Sequence, residues 1–284
     1  MRKYLYVIIL SVFAFTLLKI AYFSDQISHE GALVKDINGN LMLVDAHDDT
    51  VSRIIYNSGV WEPHINKAIN RVIRDGDRAL VVGAHIGFHG INIAKLAGDD
   101  GEVFAFEPNS RTLKFLNANV AVNGLENVTV YPTAVYSHKT KLKFHAIDNG
   151  NTGMSHVHRD DEKSTNYIEI DAIDIDSIPE IKDINFIIMD IECMETKAML
   201  GAKDLLDNSP EDLLILQEWS PECTPSMPEY LSFLRERGYK IAEVSKDERA
   251  PYRELSDSEL INSPVQLDVA ISKSPDRLKA VFDK

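Results

Sequence analysis

Two glycines four residues apart end an apolar run and begin an amphipathic one in RALVVGAHIGFHG (residues 78–90). A glycine at such a turn lets the backbone approach a ligand with no Cβ in the way. Three ligand classes use this geometry. A triphosphate loop needs a lysine and a hydroxyl after its last glycine, and Phe88 and His89 stand there instead. A dinucleotide loop wants G-x-G-x-x-G, whereas Ala84 and His85 occupy the places near which a second glycine would fall. S-Adenosylmethionine carries no phosphate and needs one close approach beside its methionine portion, plus a carboxylate for its ribose hydroxyls. Glu107 supplies that carboxylate, about two dozen residues past Gly83. An acid there also suits NAD, so it is the glycine spacing that favours the sulfonium cofactor over a nicotinamide. An ordinary strand-to-helix turn is the bland alternative.

Two further clusters hold imidazoles beside carboxylates: DAHDDT (residues 45–50) and HVHRDDE (residues 156–162). In an extended segment His156 and His158 share a face, which suits a metal ion. The sequence fixes no third ligand, so no metal is expected. The second cluster is expected to touch substrate instead.

These residues need elements to hold them. ALVV (residues 79–82), EVFAF (102–106), VTVY (128–131), FIIM (186–189), LLILQ (213–217) and YKIAEV (239–244) are short apolar runs with the look of strands. Amphipathic stretches separate them: FHGINIAKLAG (88–98), closed by a glycine, residues 109–124, residues 194–206 and residues 228–238. Residues 148–165 are polar and glycine-containing, which marks a loop, and QLDVAIS (266–272) alternates as a closing strand would. Strands alternating with helices predict a doubly wound α/β domain with a mainly parallel sheet, over residues 78–284.

A chain of 284 residues, 44% hydrophobic, can bury one sizeable core. Its formal net charge of −14 opposes phosphate backbones, so no nucleic-acid partner is expected. Cys193 and Cys223 lack paired zinc spacing, and free thiols are the expected state over a single bridge. The first 23 residues are of another kind. An apolar run at residues 4–18 continues past Lys19 to Phe23, long enough for a membrane anchor if the lysine snorkels. A cleaved signal peptide is the rival, but no small-x-small site is evident. Arg2 and Lys3 favour a cytoplasmic N-terminus. Residues 24–77 then read as a polar stalk and a lead-in to the main domain.

GVWEP (residues 59–63), GAHIG (83–87), VFAFEPN (103–109), NGLENVTV (123–130), TGMS (152–155), DIECME (190–195) and LGA (200–202) follow one another in this order. In that ordered set the sequence resembles the FkbM family of S-adenosylmethionine-dependent methyltransferases, over residues 40–244. The resemblance implies a class I methyltransferase (Rossmann-like) fold closed by an antiparallel strand. It also implies S-adenosylmethionine as cofactor, held by Gly83, Ala84, His85, Gly87, Glu107, Pro108, Asn109 and Ala134. Asp190, at the end of the fourth strand, is the implied acceptor-orienting group or base, with Glu192 and Glu195 as second candidates. His89 is a weaker candidate base, and Glu218 and Trp219 would line the acceptor side. The implied acceptor is a hydroxyl on a small molecule, a saccharide or a lipid-linked group.

Four positions depart from the family pattern. Val81 stands where an acid begins the first motif, His85 where that motif has asparagine, Ile188 where the later motif has lysine, and Cys193 where it has glycine. They raise the alternative of a non-catalytic module that keeps the fold.

Overall fold

The computed structural model describes residues 31–159, 162–224, 226–247 and 250–282. The expected anchor, residues 1–23, lies outside them. No helix among the described residues is long and apolar enough to cross a membrane.

The alternating strands and helices assemble as the pattern predicts. Seven strands form one sheet: β3 (Arg78–Val82), β4 (Glu102–Phe106), β5 (Val128–Tyr131), β10 (Phe186–Met189), β11 (Leu214–Trp219), β12 (Lys240–Glu243) and β13 (Leu267–Ser272). Their order is β12-β13-β11-β10-β3-β4-β5. The pairings from β11 through β10, β3 and β4 to β5 are parallel, and β13 runs antiparallel between β11 and β12. The chain reverses between β3 and β10, which opens a crevice at their carboxyl ends, where sheets of this kind bind ligands.

Side-chain alternation along these strands feeds two cores. Leu80, Val82, Phe104, Ile187 and Ile215 face one side of the sheet. There they meet Ala198 of α5 (Glu195–Leu200), Leu205 of α6 (Lys203–Asn208) and Leu231 of α7 (Met227–Glu236). Ala79, Val81, Val103, Phe186 and Ile188 face the other side. That side is covered by Ile69 of α2 (Pro63–Val72), Ile93 of α3 (Phe88–Ala97), Leu116 of α4 (Ser110–Val122) and Leu278 of α8 (Pro275–Ala280). The sandwich is buried on both faces, as near-continuous apolar strands require.

Four findings differ from the sequence reading. Gly31–Lys35, inside the expected stalk, is a strand (β1) paired antiparallel with β2 (Leu41–Asp45). Helix α1 (Val51–Ser58) packs beside this hairpin. The single helix expected over 194–206 breaks at Gly201 into α5 and α6, at a point where the backbone runs so close to the Tyr136 carbonyl oxygen that a Cβ would sit 2.1 Å from it. A second sheet, β6 (Ala134–Val135), β9 (Ile168–Ile173), β7 (Thr140–His145) and β8 (His156–Val157), occupies part of the expected 148–165 loop and the region around it. Finally, Cys193 and Cys223 form a disulfide, with Cα atoms 5.8 Å apart, instead of two free thiols. No local spacing predicts that pair, because the sheet joins the loops after β10 and β11.

Candidate active site

The crevice at the ends of β3 and β10 opens into a cavity of about 510 Å³. This lies within the ordinary range of small-molecule sites. One wall is the GAHIG turn. Gly83 has φ +84°, and a Cβ there would lie 1.9 Å from the Asp190 carbonyl oxygen. Glycine is thus required less for a ligand than for closing the β3 loop onto the β10 loop. The Gly83 and Ala84 amides both donate to the Phe106 carbonyl, at 3.1 and 2.9 Å.

His85 also sits left-handed, at φ +49°. Its amide donates to Glu107 Oε2 at 2.8 Å, while the Asn109 amide donates to Glu107 Oε1 at 2.8 Å. Glu107 is buried, and burial raises its pKa against the pull of these amides. Its four lone-pair sites serve these two amides and lie within reach of the Thr112 hydroxyl, so acceptor capacity remains for a ligand hydroxyl. The His85 ring is held by Thr152 Oγ1 at 2.7 Å, its pKa pushed down by burial to about 4, and its buried Nδ1 has no hydrogen-bond partner.

Pro108 and Ala134 line the same wall. Gly87 and Asn109 do not line the cavity. A Cβ at Gly87 would meet Leu116 and Ile91, and Asn109 Oδ1 accepts the Arg111 amide to cap α4. These two residues shape the wall from behind.

Carboxylates gather on the facing side. Oxygens of Asp190, Glu192 and Glu218 lie within 4.8 Å of one another. Asp190 opens onto the cavity; enclosure by the surrounding protein, then the charges of Glu62, Glu192 and Glu195, raise its pKa well above the usual range. Enclosure, then the charges of Asp190, Glu195 and Glu192, raise the pKa of Glu218, whose oxygens accept from Gln266 Nε2 and Ser220 Oγ. Glu195 plays a different part from its two neighbours. It is buried behind the loop, its Oε1 accepts the Ile191 amide at 2.8 Å, and burial raises its pKa to about 7. It positions the loop that carries Asp190 and Glu192.

Other expectations sort in the same way. Trp219 is core: its indole donates to the Leu260 carbonyl at 3.0 Å and it stacks on Tyr230. DAHDDT is spent on structure, with Asp45 paired to Arg111 and Asp48 accepting the Ser52 amide at 2.7 Å at the start of α1. His89 faces the cavity with Glu62, 3.1 Å away across the ring nitrogen Nε2. The sequence reading missed Glu62, Trp61, Thr152 and Gln266 as cavity residues. GVWEP and TGMS carried the first three, within motifs noticed for their order but not for their side chains.

The match to a family model decides the family: the FkbM methyltransferase domain spans residues 82–241. The chain belongs to the FkbM methyltransferase family. No curated protein matches the sequence. Among solved structures, an S-adenosylmethionine-dependent O-methyltransferase from Thermotoga maritima is similar at 14% identity and TM-score 0.43, covering 86% of this chain and 78% of that one. An S-adenosylmethionine-dependent methyltransferase from Aquifex aeolicus is similar at 16% identity and TM-score 0.43, covering 80% of this chain and 95% of that one. Membership rests on the sequence match. As an FkbM methyltransferase, the chain uses S-adenosylmethionine, and its cavity fits that molecule. Glu107 keeps acceptor capacity toward a ligand hydroxyl, and Ala134 presents only a methyl group to the cavity beside it.

Three of the four departures from the family pattern, Val81, Ile188 and Cys193, have structural answers. Ile188 and Val81 are register partners on adjacent strands, so the acid and the lysine of the family motifs are replaced together by one apolar contact. Glu192 and Cys193 both adopt left-handed backbone, at φ 54° and 78°. Glycine suits such a position, and here the disulfide holds Cys193 in it instead.

Proposed function

We propose that this FkbM methyltransferase methylates a hydroxyl oxygen of an uncharged acceptor, on a small molecule, a saccharide or a lipid-linked group. The carrying observation is the convergence of Asp190, Glu192 and Glu218 on the cavity side facing the GAHIG wall. Carboxylates accept hydrogen bonds from hydroxyls and repel phosphates and carboxylates, so the acceptor class follows from charge. When bound, S-adenosylmethionine supplies an electrophilic methyl group and leaves as a neutral thioether. The residues of this chain align the acceptor oxygen and take its proton. Asp190 is the proton acceptor, Glu192 holds a neighbouring hydroxyl, and Glu218 keeps Gln266 against the floor.

The same reading places the chain at a membrane through residues 1–23, with its N-terminus in the cytoplasm, and it includes no nucleic-acid partner. The Cys193–Cys223 disulfide supports a catalytic domain in an oxidising compartment, where such bonds persist.

The experiment is transfer of label from methyl-labelled S-adenosylmethionine to matched acceptors: neutral saccharides and alcohols, and their phosphorylated or carboxylated counterparts. Label on the neutral set is expected. Label confined to the anionic set contradicts the proposal.

A further inference from the structure

Outside the carboxylate site, the accessory sheet brings three histidines and a glutamate to one point. His145 ends β7, and His156 opens β8 directly across from it. The pairing continues to His158, whose amide donates to the Lys143 carbonyl at 2.8 Å. Glu162 joins them, its amide 3.0 Å from the Arg159 carbonyl. His145 Nε2 lies 2.8 Å from His158 Nδ1 and 3.1 Å from Glu162 Oε2, and His158 Nδ1 is 3.2 Å from the same oxygen. His156 Nε2 lies 2.9 Å from the other oxygen, Oε1.

The protons are the difficulty. His145 Nδ1 sits 2.6 Å from the Asn166 carbonyl oxygen, and His156 Nδ1 sits 2.8 Å from that of Met154. A carbonyl oxygen only accepts, so both Nδ1 atoms carry hydrogen. In a neutral imidazole Nε2 then offers a lone pair. Both lone pairs face a carboxylate, which when ionised also only accepts. Such contacts call for a shared hydrogen or a cation, and the ligand atoms of His145, His158 and Glu162, all within 3.2 Å of one another, have the spacing of a cation's ligands.

We propose that His145 Nε2, His158 Nδ1 and Glu162 Oε2 bind a divalent transition-metal ion of the zinc class. Imidazole donors select such an ion over magnesium or calcium. Donor atoms about 2.0–2.1 Å from a tetrahedral zinc are about 3.3 Å apart, so the cluster need open by only a few tenths of an ångström. The outer contacts that a metal site requires are built. Backbone carbonyls fix the tautomers of His145 and His156, and Arg159 grips Glu162 Oε1 at 2.9 Å. His156 meets that same oxygen and supports the glutamate. The ion pins the β7–β8 pair, whose Phe144 and Val157 line the cavity with Arg159 just beyond β8, so it fixes one wall of the site. This inference stands apart from the choice of acceptor.

The test is titration of the chelator-treated full chain with Co²⁺, followed by displacement with Zn²⁺. One equivalent of Co²⁺ per chain is expected, with the visible absorption of a tetrahedral, nitrogen-ligated ion that Zn²⁺ abolishes. His158→Ala and Glu162→Gln should each weaken binding at least 100-fold while circular dichroism stays that of the folded chain. Asp190→Asn should leave the metal affinity within about twofold. Absence of the cobalt spectrum in folded wild-type protein overturns the proposal, whatever the variants do. Binding that survives His158→Ala, or that falls with Asp190→Asn, also overturns it.

Discussion

The two sides of the cavity are built by different means. The cofactor side hangs on the ends of β3 and β4, so residues near in sequence are near in space: Gly83, His85 and Glu107 are joined by backbone amides across one parallel register. The acceptor side is assembled from long-range parts. Asp190 and Glu218 come from neighbouring strand ends, Glu62 from a lead-in helix boundary, and Arg159 from an accessory sheet, and a disulfide ties the loops after β10 and β11. A wall made of one βαβ unit constrains its residues through the turn itself. A wall made of four segments constrains them through cross-links and paired charges, and it can vary with the acceptor while the first wall stays fixed.

That contrast breaks most sharply at Asp190. Asp190→Asn should lower the rate of methyl transfer by about 10²–10⁴-fold, the usual worth of a positioned base. Steady-state turnover on an accepted hydroxyl compound measures it, and unchanged turnover would move the base to the His89–Glu62 pair. The next largest effect concerns the cross-link. Cys223→Ser opens a loop with a sequence separation of 30. This should cost about 3 to 4 kcal/mol of stability on chain-entropy grounds, read by urea unfolding. The loss should fall on the acceptor wall, where Glu192 and Cys193 hold left-handed backbone.

A smaller effect is pH-dependent. Glu195 has its pKa raised from 4.5 to about 7 by burial. Below pH 4.5 folded and unfolded chains both hold this proton; between 4.5 and about 7 only the folded chain does. Its contribution to stability is therefore full at the acid end of this window and is lost as pH rises through 7. Glu195→Gln keeps the acceptor for the Ile191 amide and removes the titration, so unfolding free energy should fall less between pH 5 and 8 than in wild type. An equal fall in both would remove Glu195 from the account.

The same division explains what the sequence could disclose. The seven strands of the main sheet were legible because buried parallel strands are short apolar runs between helices, and EVFAF and FIIM match their strands residue for residue. Gly83 and Glu107 were legible because a glycine turn and an acid at the next strand end lie within one βαβ unit. The accessory sheet was not, since half-exposed strands such as TKLKFH alternate weakly and pair with residues about thirty positions away. The disulfide, Glu62 at the cavity and the approach of His145 to His158 shared that fate. Each depends on which strand ends become neighbours. Glu195 shows the reverse error: it lies in the right motif, yet points its carboxylate at its own loop rather than at the cavity.

The central claim, that one wall holds the cofactor and the other the acceptor, is tested most directly by calorimetric titration of S-adenosylmethionine into three proteins: wild type, Glu107→Ala and Asp190→Asn. The account predicts binding weakened by about 10- to 100-fold in Glu107→Ala, the worth of charge-assisted hydrogen bonds lost from a buried carboxylate. It predicts near wild-type binding in Asp190→Asn. The reverse pattern, with cofactor binding lost at Asp190 and kept at Glu107, would contradict it.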